Sequence, residues 1–374
     1  MPDTKICFVS DTIHTYFGST NTKGAGGAER QQYMLIREFV KKSYDISVAT
    51  LATGDDVTSD GVTIYQCIPD IRGFTGAPYK LASVVRSLRS INADIYYVRG
   101  NHFLAVATAI ACRLSSKSFV YAVANDSDIE PDYWKERNWI LKNLYFWALK
   151  SANTITTLTQ FQRDVLESEY QLDADVIPCG YSLPESGDII PHDEREFVLW
   201  VGRMDPVQKM PTRFVELARR CPDQQFIMIG PPDNDRPEHA DEIQSQAGEV
   251  DNLEYIGFVE PSEIHEYFRR ASLLVSTSDF EGFGNVFLEA WRYETPVVSL
   301  NYTLDGVISK QPVGKYADGS MDKLVSIVQQ LAPRVADRAK LGKNGRDLVA
   351  TDYSLNTIVQ EYDRIFSDLS GDKN

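Results

Sequence analysis

The chain has 374 residues, of which 43% are hydrophobic, and it carries a formal net charge of −15 with a pI near 4.9. That length suits about two to three domains, and the strong acidity argues against non-specific binding to nucleic acid. A mean hydropathy of −0.29, with no apolar run long enough to cross a bilayer, argues against a membrane-spanning segment.

The cysteines and the first residues bear on the compartment. The five cysteines are scattered and odd in number, so neither a disulfide framework nor a cysteine metal cluster is expected. The chain runs directly into an apolar strand, Ile6–Val9, without the basic and apolar regions of a signal peptide. We therefore expect a cytoplasmic protein.

The first half of the chain alternates short apolar runs with longer segments of helical periodicity. This alternation predicts a mostly parallel sheet that is covered by helices on both faces. The predicted strands are Ile6–Val9, Ile46–Leu51, Val62–Cys67, Ile95–Val98, Phe119–Ala124, Thr154–Leu158 and Val176–Cys179. The predicted helices are Ala28–Lys42, Tyr79–Ser90, His102–Leu114, Tyr133–Lys150 and Gln160–Ser168.

A stretch rich in proline, glycine and acidic residues, Gly180–Glu196, predicts a linker. The alternation resumes beyond it, so the fold class is α/β with two Rossmann-like domains, at 1–185 and 195–353. Open α/β sheets bind ligands at the carboxyl ends of their strands, which predicts a site in a cleft between the domains. The predicted strands here are Phe197–Val201, Gln225–Ile229, Leu253–Phe258, Ser272–Val275 and Pro296–Leu300, and the helices are Thr212–Arg220, Pro261–Arg270 and Asn285–Tyr293, with more helix from Met321 onward.

One stretch of the second half combines a buried strand, a glycine turn and the start of a helix. It runs from Asp279 to Glu289. Gly282 and Gly284 allow the backbone to approach a ligand closely, and Asn285 is a favourable N-cap residue. The backbone N–H groups that open the helix, those of Gly284, Asn285 and Val286, suit phosphate.

Two carboxylates accompany this turn. Glu281 lies within it and Glu289 in the first part of the helix, so both could face one pocket and accept hydrogen bonds from sugar or ribose hydroxyls. For Glu289 the alternative is a glutamate that only stabilises the helix dipole.

Two cations follow the strand Phe197–Val201. Arg203 lies at its end and Lys209 in the loop before the next helix. Cations at the carboxyl end of a strand can hold and neutralise a diphosphate leaving group. The alternative is a pair of solvated loop charges.

A second glycine-rich stretch, Gly24–Arg30, follows the first strand and opens a helix. Its Gly26 and Gly27 suit a backbone cradle near a diphosphate, although the spacing of dinucleotide-binding loops is absent. An ordinary flexible loop is the alternative.

Asp126 and Asp128 follow a strand and form a carboxylate pair of the kind that hard cations prefer. We favour a polar helix cap or loop here, because the cations that would face phosphate lie elsewhere. His102, at the end of another strand, either reaches the cleft or is an ordinary polar loop residue. The histidines show no metal-ligand spacing.

The segment Tyr133–Lys150 mixes aromatic with basic residues. This composition suits a helix that lies on a membrane surface, which makes peripheral membrane contact one interpretation. A helix that packs its aromatic side chains into the domain is the other, and the commoner.

Together these stretches resemble the retaining glycosyltransferases of family four, which have the two-domain GT-B fold. The resemblance covers nearly the whole chain and rests on Gly26–Glu29, Val201–Arg203 with Lys209, Ile256–Val259, Glu281–Glu289 and Thr295–Val298.

The resemblance implies roles for several residues. Arg203 and Lys209 would bind the diphosphate of a sugar nucleotide, with Glu281 on the hydroxyls of the transferred sugar. Glu289 would bind the ribose, and Phe258 would lie against the base. The implied donor site comprises Gly26, Gly27, Phe258, Gly282, Phe283, Gly284, Asn285, Val286 and Glu289. The last helix, within 354–374, would pack back on the N-terminal domain.

The sequence departs from the family in one respect. Many members carry a histidine at the end of the fifth strand of the N-terminal domain, whereas residues 122–126 here read AVAND. Asn125, Asp126 or His102 would then serve the acceptor side.

We expect an enzyme that moves a hexose, with retention, from a nucleotide-diphosphate sugar to a hydroxyl of a glycan or lipid-linked acceptor. Its products would be surface polysaccharide, glycolipid or glycoprotein glycan. No metal or other cofactor is expected. Three alternatives remain: a sugar-nucleotide epimerase of the same fold, a non-catalytic sugar-nucleotide-binding protein, and a metal-dependent transferase that uses Asp126 and Asp128.

Overall fold

The computed structural model describes residues 4–17, 26–71, 76–135, 137–233, 236–260 and 262–371. These residues form two compact units. The first contains the described residues up to Cys179 and those from Leu355 onward, and the second is Gly180–Ser354. The stretch Gly180–Glu196, predicted as a linker, therefore belongs to the second unit.

Each unit is built on one sheet. The first sheet has the order β3-β4-β2-β1-β5-β6-β7-β8, and only β3 is antiparallel to its neighbour. Its strands are β1 (Lys5–Val9), β2 (Asp45–Leu51), β3 (Val57–Ser59), β4 (Val62–Ile68), β5 (Ile95–Arg99), β6 (Ser118–Ala122), β7 (Thr154–Thr157) and β8 (Asp175–Val176). The second sheet is parallel throughout, with the order β11-β10-β9-β12-β13-β14. Its strands are β9 (Phe197–Val201), β10 (Phe226–Ile229), β11 (Leu253–Gly257), β12 (Ala271–Ser276), β13 (Val297–Ser299) and β14 (Gly314–Tyr316).

Helices follow most strands, as the parallel pairing requires. They are α1 (Gly27–Lys41), α2 (Ala77–Ile91), α3 (His102–Ser115), α4 (Pro131–Lys135), α5 (Trp139–Lys150), α6 (Gln160–Tyr170), α7 (Pro211–Arg220), α8 (Glu238–Gly248), α9 (Ile264–Arg270), α10 (Asn285–Trp291), α11 (Val307–Lys310), α12 (Met321–Leu331), α13 (Val335–Thr351) and α14 (Leu355–Gly371).

The first sheet is covered on both faces because its strands are apolar at successive positions. Side chains alternate between the two faces of a strand. Cys7 and Val9 of β1 therefore pack with α2, α3 and α5, whereas Ile6 and Phe8 pack with α1 and α14.

The last helix, α14, belongs to the first unit. The ring of Phe366 lies 5.1 Å from that of Phe39 in α1, and Tyr362 lies 5.7 Å from Tyr97 in β5. Aromatic pairs at such separations add to the free energy of burial. These contacts join the end of the chain to the sheet with which it begins.

The structure corrects the predicted elements in several places. The helix predicted over Tyr133–Lys150 is two helices, because the Asn138 side chain accepts a hydrogen bond from the Ile140 N–H at 2.8 Å and begins α5. The strand predicted over Val176–Cys179 pairs only through Asp175 and Val176. The strands β3 and β14 and the helix α8 were not predicted at all.

Candidate functional site

Lys209 and Glu281 form a close ion pair at the carboxyl ends of two neighbouring strands. The ammonium nitrogen of Lys209 lies 2.5 and 2.7 Å from the two carboxylate oxygens of Glu281. Lys209 follows β9 and Glu281 follows β12, and these strands pair directly in the second sheet. The side chains are only 16% and 7% exposed. The two side chains therefore form a nearly buried pair of opposite charges.

The loop that carries Lys209 is fixed by hydrogen bonds. The Lys209 carbonyl accepts from the Thr277 hydroxyl at 2.7 Å, and the Trp200 indole N–H donates to that hydroxyl at 2.9 Å. Asp205 accepts from the backbone N–H groups of Val207 and Gln208 at 2.8 and 2.9 Å. The backbone that carries the lysine is thus held in place by side-chain hydrogen bonds.

Gly202 provides room for the lysine side chain. A methyl group at this position would lie 3.4 Å from Cδ of Lys209 and 3.0 Å from the Trp200 ring. The lysine stem therefore passes close to the end of β9, and a larger residue at Gly202 would press on both neighbours.

Arg203 lies at the same strand end but is more open to solvent. Its guanidinium is 3.7 Å from a carboxylate oxygen of Asp233 and 3.9 Å from one of Asp205, and its side chain is 47% exposed. Asp233 follows β10, the strand on the other side of β9. Arg203 and Lys209, the two cations predicted to act together, therefore both follow β9, but each lies beside different carboxylates.

The turn before α10 has the predicted glycine geometry with a different cap. Gly284 is the N-cap residue and has a φ of +83°, a left-handed conformation that favours glycine. A methyl group there would lie 3.2 Å from the Phe287 ring and 3.3 Å from that of Tyr302. Asn285, which the sequence suggested as the cap, is the first helical residue.

Glu289 lies inside α10 and is 8% exposed. The Tyr181 hydroxyl donates a hydrogen bond to its Oε1 at 2.8 Å. Tyr181 is itself fully buried, and its backbone N–H donates to the Tyr353 carbonyl at 2.9 Å. Sequence reasoning did not find Tyr181, because a tyrosine just past a domain boundary carries no distinguishing pattern.

Three other members of the predicted donor set belong to this turn or to the start of α10, and Phe258 lies apart from them, at the end of β11. Gly282 is buried, Val286 is half-buried, and the Phe283 ring lies 5.8 Å from that of Tyr353. Phe258 follows β11 and is half-buried.

Asp279, which opens the turn, is anchored by two side chains that the sequence did not single out. Arg213 forms an ion pair with it, and the Asn301 amide donates to its Oδ1 at 2.6 Å. These contacts tie the turn to α7 and to the loop after β13.

In the first unit, Gly26 is the N-cap of α1 and Gly27 its first residue. The Gly26 N–H donates to Glu29 at 2.9 Å, and Thr12 donates to the same carboxylate at 3.1 Å. Gly24 and Ala25 lie outside the described residues.

The Asp126–Asp128 stretch is a short 3₁₀ turn capped by Asn125. Asp128 accepts from the N–H groups of Ala124 and Asn125 at 2.9 and 3.1 Å, and Asp126 accepts from the Gln162 amide at 2.8 Å. These bonds are those of a cap, the interpretation that the sequence favoured. Among the residues described, no group of three or more His, Cys, Asp or Glu side chains is placed to hold a metal ion.

His102 contacts the same turn. Its Nε2 lies 3.2 Å from Oδ1 of Asp128, and its ring is 4.8 Å from Trp134 and 4.6 Å from Tyr145. Of the three acceptor-side candidates, His102 and Asn125 both contact Asp128, and Asp126 lies in the same turn.

Solved structures of other proteins share the fold of this chain. Sucrose-phosphate synthase from Thermosynechococcus elongatus is similar, with a TM-score of 0.82 and 17% identity over 99% of this chain and 100% of that chain. HepE from Anabaena, solved in complex with UDP and glucose, has a TM-score of 0.76 and 18% identity over 98% and 100%. Identities this low show the fold, which is the GT-B architecture.

The sequence matches then give the family. The Glycosyltransferase Family 4 model matches residues 25–184, and the Glycosyl transferases group 1 model matches residues 185–347. The chain belongs to the family-four, group 1 glycosyltransferases.

Curated relatives match over a shorter stretch. The D-inositol 3-phosphate glycosyltransferase of Mycobacterium tuberculosis is 30% identical over 163 residues, which are 40% of this chain and 33% of that protein. The match thus spans about a third of the relatives' length. Across the residues that the structure describes, no helix has both the length and the apolar character needed to cross a membrane.

Proposed function

We propose that this glycosyltransferase moves a hexose from a nucleotide-diphosphate sugar to a hydroxyl of a glycan or lipid-linked acceptor, with retention at the anomeric carbon. The observation that carries the proposal is the buried Lys209–Glu281 pair, with Arg203 at the same strand end. A related fold has been solved with UDP-glucose, in HepE from Anabaena, which supports a donor of this class.

Each group in the pair suits one half of the donor. Cleavage of the bond to the sugar leaves negative charge on the diphosphate, and preorganised cations stabilise it. Lys209 and Arg203 supply two such cations. The Glu281 carboxylate accepts hydrogen bonds from sugar hydroxyls, and Lys209 holds it in place at 2.5 Å.

Glu289 serves the ribose in this scheme. Its carboxylate accepts a hydrogen bond from Tyr181 at 2.8 Å, and carboxylate oxygens are acceptors that suit hydroxyl groups. The hydroxyls of the ribose would donate to this carboxylate. We propose that Phe258 contacts the base and that Gly282, Phe283 and the amides of 284–286 line the rest of the donor site.

We also propose that the transfer needs no metal ion, because the two cations supply the charge stabilisation that a metal would otherwise provide. Full transferase activity in excess chelator is the expected result. Loss of activity in chelator, restored by added Mg²⁺ or Mn²⁺, would instead show that a metal takes part.

A thermal-shift screen against a panel of sugar nucleotides tests the donor proposal. A ligand present at about 100 times its Kd stabilises the folded state by about 2.7 kcal/mol, so the donor raises the melting temperature while other sugar nucleotides do not. Glu289→Gln should weaken the shift. No shift with any sugar nucleotide would refute the proposed donor class.

An incubation of the donor without acceptor then separates the enzyme classes. A transferase leaves the sugar nucleotide intact, or hydrolyses it slowly to free sugar and nucleoside diphosphate. Interconversion of two sugar nucleotides would identify an epimerase, and donor binding with no turnover on any acceptor would identify a binding protein. The anomeric configuration of a product, measured by NMR, tests retention.

A further inference from the structure

Helix α5 presents large apolar side chains to solvent. Trp139 is 71% exposed and Ile140 is 51% exposed, with Leu141 and Leu144 also exposed. The same helix also packs into the core, where it buries Tyr145 and Phe146. It therefore has one buried apolar side and a second apolar side that is exposed. Contiguous exposed apolar residues on a folded chain mark interaction surfaces.

The three longest helices on this side of the first sheet, α2, α3 and α5, lack carboxylates. Helix α3 packs against both α2 and α5, and these three helices have 15, 14 and 12 residues. They contain six cations and no aspartate or glutamate. At the average of 53 acidic residues in 374, their 41 residues would hold about six carboxylates. The cations are Lys80, Arg86 and Arg89 in α2, Arg113 in α3, and Lys142 and Lys150 in α5.

The other helices of the first unit carry its helical carboxylates. Helix α14, on the opposite face of the sheet, carries Glu361, Asp363 and Asp368. Helix α6, which packs on β7 and β8 at the sheet edge, carries Asp164, Glu167 and Glu169. A chain with a net charge of −15 thus keeps α2, α3 and α5 free of negative charge and places exposed apolar residues on α5. The helical carboxylates on this side of the sheet lie on α4 and α6, which contact α5 through Trp134 and Tyr170.

We propose that this surface, the basic apolar face of α2, α3 and α5, docks on an anionic lipid bilayer. Basic residues near a membrane surface are attracted to anionic lipids, and a tryptophan with neighbouring aliphatic residues inserts at the boundary between headgroups and acyl chains. An acidic chain otherwise repels such a surface, so the basic face also sets the orientation of the first unit. This inference goes beyond the donor chemistry and does not depend on it.

Co-sedimentation of the full chain with vesicles tests the proposal. The probes are vesicles of phosphatidylcholine alone and of phosphatidylcholine with one part in three of phosphatidylglycerol. We expect binding to the anionic vesicles only, weakened by added salt because the attraction is screened. Removing two cations in Arg86→Gln/Arg89→Gln should lower the partition coefficient roughly 10-fold or more.

The apolar part of the face has its own variant and control. Trp139→Ser/Ile140→Ser should lower binding to anionic vesicles by a similar factor, while Val335→Ser, at an exposed apolar residue of the second unit, should not. An unchanged melting temperature shows that each variant is folded. If the chain binds no vesicle, or if neither face variant changes binding, the proposal is wrong. A concentration-dependent dimer that Trp139→Ser/Ile140→Ser dissociates, without vesicle binding, would reassign the face to a second copy of the chain.

Discussion

Removing the charge of Lys209 should separate catalysis from folding. Lys209→Met keeps the aliphatic stem and deletes the ammonium group that lies 2.5 Å from Glu281. If the lysine stabilises the leaving diphosphate, turnover should fall by on the order of 10²–10³, which is about 3–4 kcal/mol. The same change leaves Glu281, whose side chain is 7% exposed, without its cation, and breaking a buried pair costs about 3–5 kcal/mol of stability. Two effects of similar size must therefore be distinguished.

A double-mutant cycle distinguishes them. Glu281→Gln alone leaves the lysine unpaired, whereas Lys209→Met/Glu281→Gln leaves no buried charge. The double variant should therefore regain most of the stability lost by each single variant, measured as the free energy of unfolding in urea. Its turnover should remain low, because neither the cation nor the carboxylate is restored. Turnover that recovers with stability would refute a catalytic role for the lysine.

A matched control uses a cation outside the site. Arg219 lies on α7 and pairs with Glu249 at 3.3 Å on the surface. Arg219→Met should leave both turnover and the unfolding free energy nearly unchanged, because exposed pairs contribute little. If Arg219→Met lost as much turnover as Lys209→Met, the loss would result from the removal of any positive charge and not from the position of Lys209 in the site.

Three further changes test other parts of the second unit. Tyr181→Phe removes the hydroxyl that donates to Glu289. Because a hydrogen bond to a charged group contributes about 1.5–3 kcal/mol, KM for the sugar nucleotide should rise at least several-fold, with kcat little changed. An unchanged KM would show that Glu289 does not take part in donor binding. Burial and two nearby arginines lower the pKa of His192 from 6.5 to about 3, so the unfolded chain takes up a proton first and stability is lost as the pH falls below about 6.5. Between pH 7.5 and 5, the free energy of unfolding of His192→Gln should fall by about 2 kcal/mol less than that of the wild type. If the free energies of unfolding of both proteins fell equally with pH, this prediction would be wrong. A methyl group on Gly230 would lie 1.5 Å from a backbone carbonyl oxygen of the loop after β9, so Gly230→Ala should greatly lower the yield of folded protein, while Gly248→Ala, with open space around it, should not.

Most elements of the fold could be predicted from the sequence because most of the parallel strands contain a short run of apolar residues. The run Phe197–Val201 was predicted with the bounds of β9. Helix α8 was missed because only Ala240, Ile243 and Ala247 of its residues are buried, which leaves a weak apolar periodicity. Strand β14 was missed because it has three residues and begins with Gly314, where a methyl group would lie 2.2 Å from the Val297 carbonyl oxygen.

The candidate site shows a different limit. Charged residues at the ends of strands can be read from the sequence, but which strand ends meet depends on strand order. Lys209 and Glu281 are 72 residues apart, and they meet because β12 pairs with β9 in the register Leu274 to Leu199. Nor could the sequence place Tyr181 beside Glu289, since that contact depends on the return of the chain at Tyr353. The family resemblance named the charged residues, and the structure supplied the contacts that hold them.

The ion pair between Lys209 and Glu281 also bears on which kinetic constant the lysine affects. Its charge is already compensated by a carboxylate at 2.5 Å, so the diphosphate of a bound donor gains only part of the attraction that a bare cation would give. As the bond to the sugar breaks, charge grows on the diphosphate and its attraction for the lysine grows with it. An interaction that strengthens toward the transition state raises kcat rather than tightening ground-state binding. Lys209→Met should therefore lower kcat and kcat/KM by similar factors with KM little changed, as initial rates over a range of donor concentrations would show. A variant that raises KM with kcat intact would mean that the lysine only binds the donor.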